Sequence, residues 1–419
     1  PLLVRGARQV GKTYLVDEFG RREFISLITL NFEKNPEYKD IFNSLEPTDI
    51  LEKIVLFTGK KIEPEKTLLF FDEVQDCPPA IMALRYFYEE MPSLHVIAAG
   101  SLVEFSLESE NFRMPVGRIQ YIYLFPMSFG EFIEASGEKE LRNYICDLKK
   151  LQMLPESLHV KLNETIRRYF ILGGMPAVVQ EYCKTGDMIS CQRIQRAIVD
   201  TYQDDFGKYS RKLKHRYLDK IYNAVPKMVG RKFVYAHVDN TIKSRELKEA
   251  LELLEKAGVV KKIKRTSGAG LPLEAGVKDA FFKVLFLDVG LLHAVNGIYL
   301  DTVQAKDFTA LFKGAVAEQF VGQELLAYHN PYSKPLLYYW AREAKNSNAE
   351  LDYLIQKEGE SIPIEVKSGS TGRLRSMHMF MEKYQVRQGI KISQAPYDSE
   401  NQIVSLPLYA LEGFIRKNK

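Results

Sequence analysis

The sequence contains little of what marks a disulfide-rich, zinc-binding or membrane-spanning chain. It has only four cysteines in 419 residues, and they lie far apart without a C-x-x-C pair, which argues against a disulfide framework and a structural zinc site. No apolar run approaches the ~18 residues of a membrane-spanning helix. We therefore expect reduced thiols, no membrane segment, no signal peptide in the sequence given, and a cytoplasmic location.

The chain also lacks a fixed-period repeat and a large charge of one sign. The formal net charge is only +4, yet residues 211–295 hold 18 lysines and arginines against 9 aspartates and glutamates. Such a basic internal segment favours an anionic partner, for example nucleic acid. The length, together with 46% apolar and 27% charged residues, is typical of two to four soluble globular domains.

What is present at the amino end is an alternation of short apolar strands with helical stretches. The predicted strands are Leu2–Val4, Ile25–Leu30, Thr67–Phe71 and His95–Ala99, each a short apolar run rich in Leu, Ile, Val or Phe. Continuous apolar strands separated by helices predict a parallel sheet that is covered on both faces. The fold class predicted for this region is therefore α/β.

A glycine-rich loop follows the first strand and matches the pattern G-x-x-x-x-G-K-[ST]. In this pattern backbone N–H groups surround phosphate oxygens, while Lys12 is expected to neutralise the β- and γ-phosphates and Thr13 to ligate Mg²⁺. The loop also opens a helix, whose N-terminal dipole favours an anion. The cofactors predicted are ATP and Mg²⁺. The residues predicted to bind ATP are Gly6, Ala7, Arg8, Gln9, Val10, Gly11, Lys12 and Thr13.

Further candidate catalytic residues follow later strands. After the Thr67–Phe71 strand, Asp72 is predicted to hold Mg²⁺ through water and Glu73 to polarise the attacking water; the alternative is an ordinary solvated strand end. Ser101 is a candidate γ-phosphate sensor, with a plain Gly-Ser turn as its alternative. Arg118 is the best placed arginine for the γ-phosphate, with a structural salt bridge as its alternative.

The middle of the chain predicts a helical lid at residues 151–210 and a winged helix-turn-helix at residues 211–300. A helix capped by Ser244 and ended by Gly258 precedes two strands, Val259–Lys264 and Phe281–Asp288, which are joined by a glycine-rich tip. Glutamates further along this helix would repel phosphate, so a protein-packing module is the alternative. The candidate nucleic-acid contacts are Arg245, Lys248, Lys261, Lys262, Lys264 and Arg265.

Residues 301–419 predict a second α/β unit with a candidate metal site. Asp352 lies on one predicted strand, and Glu365 and Lys367 share a face of the next one. Two carboxylates can bind a metal ion, with Glu318 as a further ligand, and the lysine can orient or deprotonate a water for phosphodiester hydrolysis. This D…E-x-K arrangement resembles the restriction-endonuclease-like nuclease core. A salt-bridged remnant without activity is the alternative.

Taken together, these motifs resemble a family of predicted AAA+ superfamily ATPases of bacteria and archaea with a C-terminal domain of unknown function. The resemblance spans the chain and implies an AAA-type core at residues 1–150 followed by a winged helix. Members of that family usually begin with a helical segment before the first strand, so we expect residues upstream of Pro1. The resemblance is carried by Leu3–Thr13, Asp72–Gln75, Gly100–Leu102, Pro126–Phe132, Gly173–Pro176 and Ile364–Lys367.

These features predict an ATP-hydrolysing switch that is coupled to a nucleic-acid-binding carboxy-terminal region, with nucleolytic activity as an open question. The alternative is a signalling ATPase whose carboxy-terminal domains bind protein partners and have no nuclease activity. The expected partners are ATP and DNA or another nucleic acid, with a protein partner and homo-oligomerisation as further expectations.

Overall fold

The computed structural model describes residues 1–101, 117–209, 212–268, 270–298, 314–342, 349–369, 374–399 and 401–416, with the backbone alone at 207–209 and 212–214. The chain divides into two compact units. Unit 1 consists of Pro1–Phe125, Lys256–Gly258 and Asn330–Pro335, and unit 2 of Pro126–Glu255, Val259–His329 and Leu336–Lys419. Among the described residues, no helix is both long enough and apolar enough to cross a membrane.

Unit 1 alternates strands with helices, as the sequence predicts. Its elements are β1 (Leu2–Arg5), α1 (Lys12–Glu23), β2 (Ser26–Asn31), α2 (Pro47–Thr58), β3 (Thr67–Asp72), α3 (Pro78–Glu90), β4 (His95–Gly100) and β5 (Gln120–Tyr123). The strands form one parallel sheet in the order β2-β3-β4-β1-β5. The four predicted strands are confirmed, and β5 is an additional strand that the sequence pattern did not indicate.

Strand β3, between β2 and β4, is buried along its whole length. Its successive side chains point to opposite faces, so Phe70 packs with Val4 and Val16 on one face while Phe71 packs with Phe42 on the other. Burying a side chain of this size contributes about 1.5–3 kcal/mol. Because the strands are parallel, the carboxyl ends of β1 to β4 share one edge of the sheet, which we call the carboxyl edge.

The first part of unit 2 is helical, as predicted for residues 151–210, of which the structure describes those up to 209. A turn at Gly173 and Gly174 separates two of its helices. The helices are α4 (Phe129–Ala135), α5 (Lys139–Cys146), α6 (Leu148–Leu151), α7 (Glu156–Leu172), α8 (Pro176–Thr185), α9 (Met188–Tyr209), α10 (Lys212–Met228) and α11 (Ser244–Lys256).

The remainder of unit 2 is built around a seven-stranded mixed sheet. Its elements are β6 (Val260–Thr266), β7 (Val277–Phe286), α12 (Val289–Val295), α13 (Ala315–Ala327), β8 (Leu337–Ala341), β9 (Glu350–Lys357), β10 (Glu360–Val366), α14 (Arg375–Tyr384), β11 (Gly389–Ser393), β12 (Ile403–Pro407) and α15 (Leu411–Arg416). The strand order is β12-β11-β10-β9-β8-β6-β7. The antiparallel hairpin β6–β7, predicted as a wing, therefore shares a sheet with the later strands, because β8 pairs with the backbone of β6.

Two of the sequence motifs meet in a buried polar network inside unit 2. Gly174 donates its backbone N–H to Asp288 (2.7 Å), and its carbonyl accepts from the backbone N–H of Met127 (2.7 Å). Gln323, on α13, donates to both Tyr169 (2.9 Å) and Asp288 (3.2 Å). A side chain at position 174 would meet the Met127 carbonyl at 1.9 Å. The glycine turn is therefore explained by close backbone packing.

Candidate functional site

The loop between β1 and α1 lies at the carboxyl edge of the unit 1 sheet, and its shape depends on glycine. Gly11 has φ 96°, a left-handed conformation that favours glycine, and Gln9 is also left-handed with φ 63°. A Cβ atom at Gly6 would lie 2.4 Å from the carbonyl oxygen of Leu124. Glycine is therefore required at position 11 by the backbone conformation and at position 6 by the close approach of the Leu124 carbonyl.

Lys12 is buried inside this loop and bonds to the loop's own carbonyl groups. Its Nζ atom donates to the carbonyl oxygens of Gly6 (3.1 Å) and Ala7 (2.8 Å). Burial lowers the pKa of Lys12 to about 8, although the negative charges of Glu73 and Asp72 act in the opposite direction. The ammonium is therefore held by neutral groups that an anion can replace.

Thr13 and Asp72 are brought together, as the sequence predicts. The Thr13 hydroxyl donates to the Asp72 carboxylate, with distances of 3.2 and 3.1 Å to its two oxygens. Burial, followed by the charge of Glu73, raises the pKa of Asp72, while hydrogen bonds from Thr13 and Asn31 lower it. A hydroxyl beside a carboxylate fits the oxygen ligands that Mg²⁺ prefers.

Asn31 is a contact that sequence reasoning missed. Its Nδ2 atom donates to Asp72 Oδ2 at 2.8 Å, and the two residues are paired across β2 and β3. Its position could have identified it, because Asn31 is a polar residue at the end of β2, the strand next to the one that ends in Asp72.

Glu73 follows β3 in an unusual backbone conformation. Its φ of 51° and ψ of 46° are left-handed, which is uncommon outside glycine and often found at functional sites. The side-chain amide of Gln75 donates to Glu73 Oε2 at 2.7 Å. Gln75 is a second residue that sequence reasoning missed, although its position two residues after the predicted catalytic carboxylate was a signal.

Two further residues predicted for the phosphate site, Ser101 and Arg8, differ in where their side chains lie. Ser101 is buried and follows β4, which lies between β1 and β3, so it is at the carboxyl edge as expected. Arg8 points to Glu33, with its Nη2 atom 3.1 Å from both carboxylate oxygens. Leu102, the last residue of the Gly100–Leu102 motif, lies outside the described residues.

The structure does not bring Arg118 to the loop between β1 and α1. Arg118 precedes β5, whose first residue pairs with Leu2 at the start of β1, so it lies at the edge opposite the loop. The length of β1, about 13 Å at 3.3 Å per residue, separates the two edges. The Nε atom of Arg118 forms a 2.9 Å ion pair with Glu89, which agrees with the alternative of a structural salt bridge.

In unit 2, a β-bulge gathers the charged residues of the predicted metal site. Across β8 and β9 the register shifts so that Asp352 and Tyr353 lie opposite the single residue Tyr339, and such a bulge re-aims side chains. Asp352 Oδ2 accepts a hydrogen bond from the backbone N–H of Val366 (2.8 Å). Asp352 therefore lies beside the strand that carries Glu365.

The next residues of this motif form an ion pair with each other. Lys367 Nζ lies 2.5 Å from Glu365 Oε1. Burial raises the pKa of Glu365 to about 7, with a further raising effect from the charge of Asp352 and a lowering effect from Lys367.

Lys283, on β7, completes this group of residues, which we call the acidic centre: Lys283, Glu318, Glu350, Asp352, Glu365 and Lys367. Lys283 is only 1% exposed, and its Nζ atom lies 2.5 Å from Glu350, 3.3 Å from Glu318 and 3.5 Å from Asp352. Sequence reasoning missed it because it appeared as one of several basic residues in a predicted wing.

The charges of the acidic centre affect each other strongly. Burial lowers the pKa of Lys283, but the charges of Glu318, Asp352 and Glu350 outweigh it, so the pKa is raised overall. Burial also raises the pKa of Glu318 to about 8, with a further contribution from Asp352 that Lys283 opposes. Lys283 is thus held as an ammonium by the surrounding carboxylates.

The predicted metal ligands of unit 2 do not fit a metal in this arrangement. Two of them, Glu318 and Asp352, contact the Lys283 ammonium, and the third, Glu365, contacts Lys367. Within the described ranges, no group of three or more metal-ligating side chains could hold an ion. The physical reason is that a lysine ammonium group already contacts each of these carboxyl groups.

The predicted nucleic-acid contacts are largely paired with acidic groups of unit 2. Ion pairs join Lys262 to Glu255 (3.0 Å) and Lys264 to Asp279 (2.9 Å). Arg265 donates to the Ala341 carbonyl (2.9 Å). Near the start of α11, Arg245 has 90% of its side chain exposed and Lys248 62%, with longer contacts of 3.7 and 3.9 Å to Glu249 and Glu252.

Comparison with protein families agrees with the geometry of unit 1. Residues 1–133 match the model described as "AAA domain". Over these residues the chain is therefore similar to AAA domains. Residues 163–302 match "Domain of unknown function (DUF8612)" and residues 313–411 match "Domain of unknown function (DUF4143)". No curated protein matches the chain.

Solved structures of P-loop ATPases are similar to this chain only at low identity. A Walker-type ATPase of Pyrococcus abyssi is 17% identical, over 71% of this chain and 91% of that one, with a TM-score of 0.44. The Aeropyrum pernix ORC1 protein in complex with DNA is 12% identical, over 71% and 86%, with a TM-score of 0.31. The Thermotoga maritima RuvB Holliday junction branch migration motor is 15% identical, over 62% and 81%, with a TM-score of 0.28. The assignment of the ATPase domain therefore depends on the family model for residues 1–133.

Proposed function

We propose that this chain is a nucleotide-driven switch that binds ATP with Mg²⁺ at residues 6–13 and hydrolyses it. The observation that carries the proposal is the convergence of Lys12, Thr13 and Asp72 at one sheet edge, with Glu73 following directly. Each of these side chains has the chemistry that phosphoryl transfer to water needs.

The residues at the carboxyl edge divide the work of hydrolysis among them. Lys12 would exchange its bonds to loop carbonyls for bonds to the β- and γ-phosphates, Thr13 would ligate Mg²⁺, and Asp72 would hold it through water. When bound, Mg²⁺ neutralises negative charge on the phosphate oxygens. Glu73 polarises the water whose oxygen forms a bond to the γ-phosphorus as the bond to the bridging oxygen breaks.

Two further residues assist this step. Gln75 positions the Glu73 carboxylate through its 2.7 Å hydrogen bond, and Ser101 senses the γ-phosphate from β4. An arginine on the γ-phosphate would have to come from a residue other than Arg118 of the same chain, for example from a second copy in a homo-oligomer.

Phosphate release by the full chain tests the ATPase. We expect turnover that requires Mg²⁺, stops on chelation, and falls at least tenfold in Thr13→Ala, because that variant removes one metal ligand. The exposed Thr185→Ala change is the matched control. Turnover that persists without a divalent ion would contradict the proposal.

We propose nucleic acid as the partner of the carboxy-terminal region, with Arg245 and Lys248 as contacts. Their exposure near the start of α11 supports this, as does the basic character of residues 211–295. We expect duplex DNA to bind the full chain with an affinity that falls as salt rises. The full chain is needed because a fragment of 211–295 would lose the pairing of β6 with β8.

The DNA-binding test compares two double variants by fluorescence anisotropy. Arg245→Ala/Lys248→Ala should lower the affinity and reduce the salt slope by ~1–2. Lys149→Ala/Lys150→Ala, which removes the same charge elsewhere in unit 2, should leave both unchanged. If no DNA binds at low ionic strength, the signalling alternative with a protein partner replaces this proposal.

Metal-dependent phosphodiester cleavage at Asp352, Glu365 and Lys367 is the competing candidate for this region. The bulge that brings Asp352 beside the Glu365 strand supports it, and the contacts of Lys283 oppose it. DNA cleavage with Mg²⁺ or Mn²⁺ that Asp352→Ala, Glu365→Ala and Lys367→Ala each abolish would establish that activity.

A further inference from the structure

We propose that the ammonium of Lys283 is the built-in cation of the acidic centre and excludes a divalent metal ion from it. The carboxy-terminal region then acts by binding a partner, without metal-dependent cleavage. This inference goes beyond the ATPase of unit 1 and deepens the proposed binding role of unit 2.

The geometry around Lys283 is that of a cation site. The side chains converge from three separate elements: Lys283 from β7, Glu318 from α13, and Glu350 and Asp352 from β9. An ammonium has three N–H donors and no acceptor, so it can give one hydrogen to each of three carboxylates. Three carboxylates around one point are also what a divalent ion would need, so the two cations compete for the same ligands.

Burial makes Lys283 hard to displace. Its side chain is 1% exposed, whereas those of Asp352 and Glu318 are 14% and 16% exposed. The Nζ atom also lies 5.4 Å from the centre of the Tyr339 ring, a favourable cation–π distance. An incoming metal ion would have to separate the ammonium from all of these groups at once.

The second lysine has the same effect on the remaining ligand. Lys367 lies 2.5 Å from Glu365, so the third predicted metal ligand also has a lysine as its counter-ion. The two lysines together contact all three predicted ligands, Glu318, Asp352 and Glu365. Each predicted ligand therefore already has an ammonium group within 3.5 Å, in the position that a metal ion would take.

The test is Mn²⁺ binding to the full, nucleotide-free chain, measured by calorimetry and by the paramagnetic resonance of free Mn²⁺. In the native chain, Asp352→Asn should leave Mn²⁺ binding unchanged. Lys283→Met keeps an unbranched side chain of nearly the same length and removes its charge, so it should gain one Mn²⁺ per chain that the native chain does not bind. In the double variant Lys283→Met/Asp352→Asn that gain should disappear.

The control is Lys278→Met, the same change at an exposed position of the same strand, which should gain no ion. Any weak Mn²⁺ binding at Thr13 and Asp72 is the same in the native chain and in every variant, so it does not affect the difference between them. Circular dichroism verifies the fold of each variant. If Lys283→Met does not fold, the comparison of the native chain with Asp352→Asn alone decides.

Two results would overturn the inference. One is native Mn²⁺ binding, or Mn²⁺-dependent DNA cleavage, that Asp352→Asn removes. The other is a folded Lys283→Met variant that gains no Mn²⁺. Neither readout involves ATP, so this inference and the ATPase proposal can fail separately.

Discussion

The two units each place a buried lysine near carboxylates, and the two lysines differ in what they contact. Lys12 in unit 1 donates to two backbone carbonyls of a glycine-containing loop, and burial lowers its pKa to about 8. Lys283 in unit 2 contacts three carboxylates, and its pKa is raised overall. The first lysine is available to an incoming anion, and the second is neutralised by its own fold.

This difference shows why a motif of charged residues is not by itself an active site. At the carboxyl edge of unit 1, Asp72 is held by uncharged donors from Thr13 and Asn31, so its negative charge remains available to a metal ion. In the acidic centre, Asp352 lies 3.5 Å from the Lys283 ammonium, which it shares with Glu318 and Glu350. The partner of a carboxylate therefore decides whether it can serve chemistry.

The largest expected effect is the loss of ATP turnover when Glu73 of unit 1 is changed. Glu73→Gln keeps the shape of the side chain and removes the group that polarises water, so we expect ATP binding to remain and kcat to fall about 10³-fold. Phosphate release and calorimetry with ATP measure the two quantities. Asp352→Asn in unit 2 is the matched change and should leave kcat unaltered.

A Glu73→Gln variant that hydrolyses ATP at the native rate would show that another group polarises the water. Glu33 is the next carboxylate near the loop, but Arg8 holds it at 3.1 Å. Arg8→Ala would then be needed to test whether Glu33 takes part.

The next prediction compares Lys12 with Lys283 in their effects on ATP affinity and on stability. Lys12→Ala should weaken ATP binding about 100-fold, because the phosphates lose a charge-assisted hydrogen bond, while the thermal stability changes little. Lys283→Met should do the reverse: it keeps ATP affinity and lowers the stability of unit 2 by about 3 kcal/mol or more, because it leaves carboxylates uncompensated. Calorimetric ATP titration and thermal unfolding measure both. Unchanged ATP affinity in Lys12→Ala would exclude residues 6–13 as the ATP site.

Much of the secondary structure and the nucleotide site could be predicted from local sequence signals. The phosphate loop is contiguous, and Asp72 and Glu73 follow a continuous apolar strand, so each feature is visible within a few residues. The hairpin β6–β7 was also visible as two strands. Its pairing with β8 was not, because the partner strand lies about 70 residues later in the sequence and no local pattern specifies it.

The residues that sequence reasoning missed or placed wrongly depend on contacts between distant segments. Lys283 reaches Asp352 across 69 positions, and its burial distinguishes it from the other lysines of its basic segment. Arg118 was proposed as the arginine for the γ-phosphate, whereas strand direction puts it at the opposite edge of the sheet. Direction and register of β5 are properties of the assembled sheet.

A smaller effect tests whether Gln75 positions Glu73. We expect Gln75→Ala to lower kcat about tenfold with little change in KM, because the loss of one hydrogen bond to a charged group is worth about 1.5 kcal/mol. In a Glu73→Gln background the same change should have almost no effect, since the two residues act together. A general structural role would instead give additive losses. Gln152→Ala, at an exposed position of unit 2, is the control.

The smallest expected effect is the pH dependence of ATP affinity, which follows from the lowered pKa of Lys12. Only the ammonium form attracts phosphate, so affinity should be complete well below the pKa of about 8 and should be lost as the pH rises through it. Between about pH 7.5 and about pH 8.5 the ammonium fraction falls about threefold, and the dissociation constant for ATP with Mg²⁺ should rise by the same factor, measured by calorimetry. The phosphates are already ionised in this range, since their last pKa lies near 6. Lys12→Arg keeps its charge throughout, so whatever affinity it retains should not depend on pH. A native profile that is flat over this range would mean that Lys12 remains fully charged before ATP binds, and the contrast with Lys283 would then depend on their hydrogen-bond partners alone.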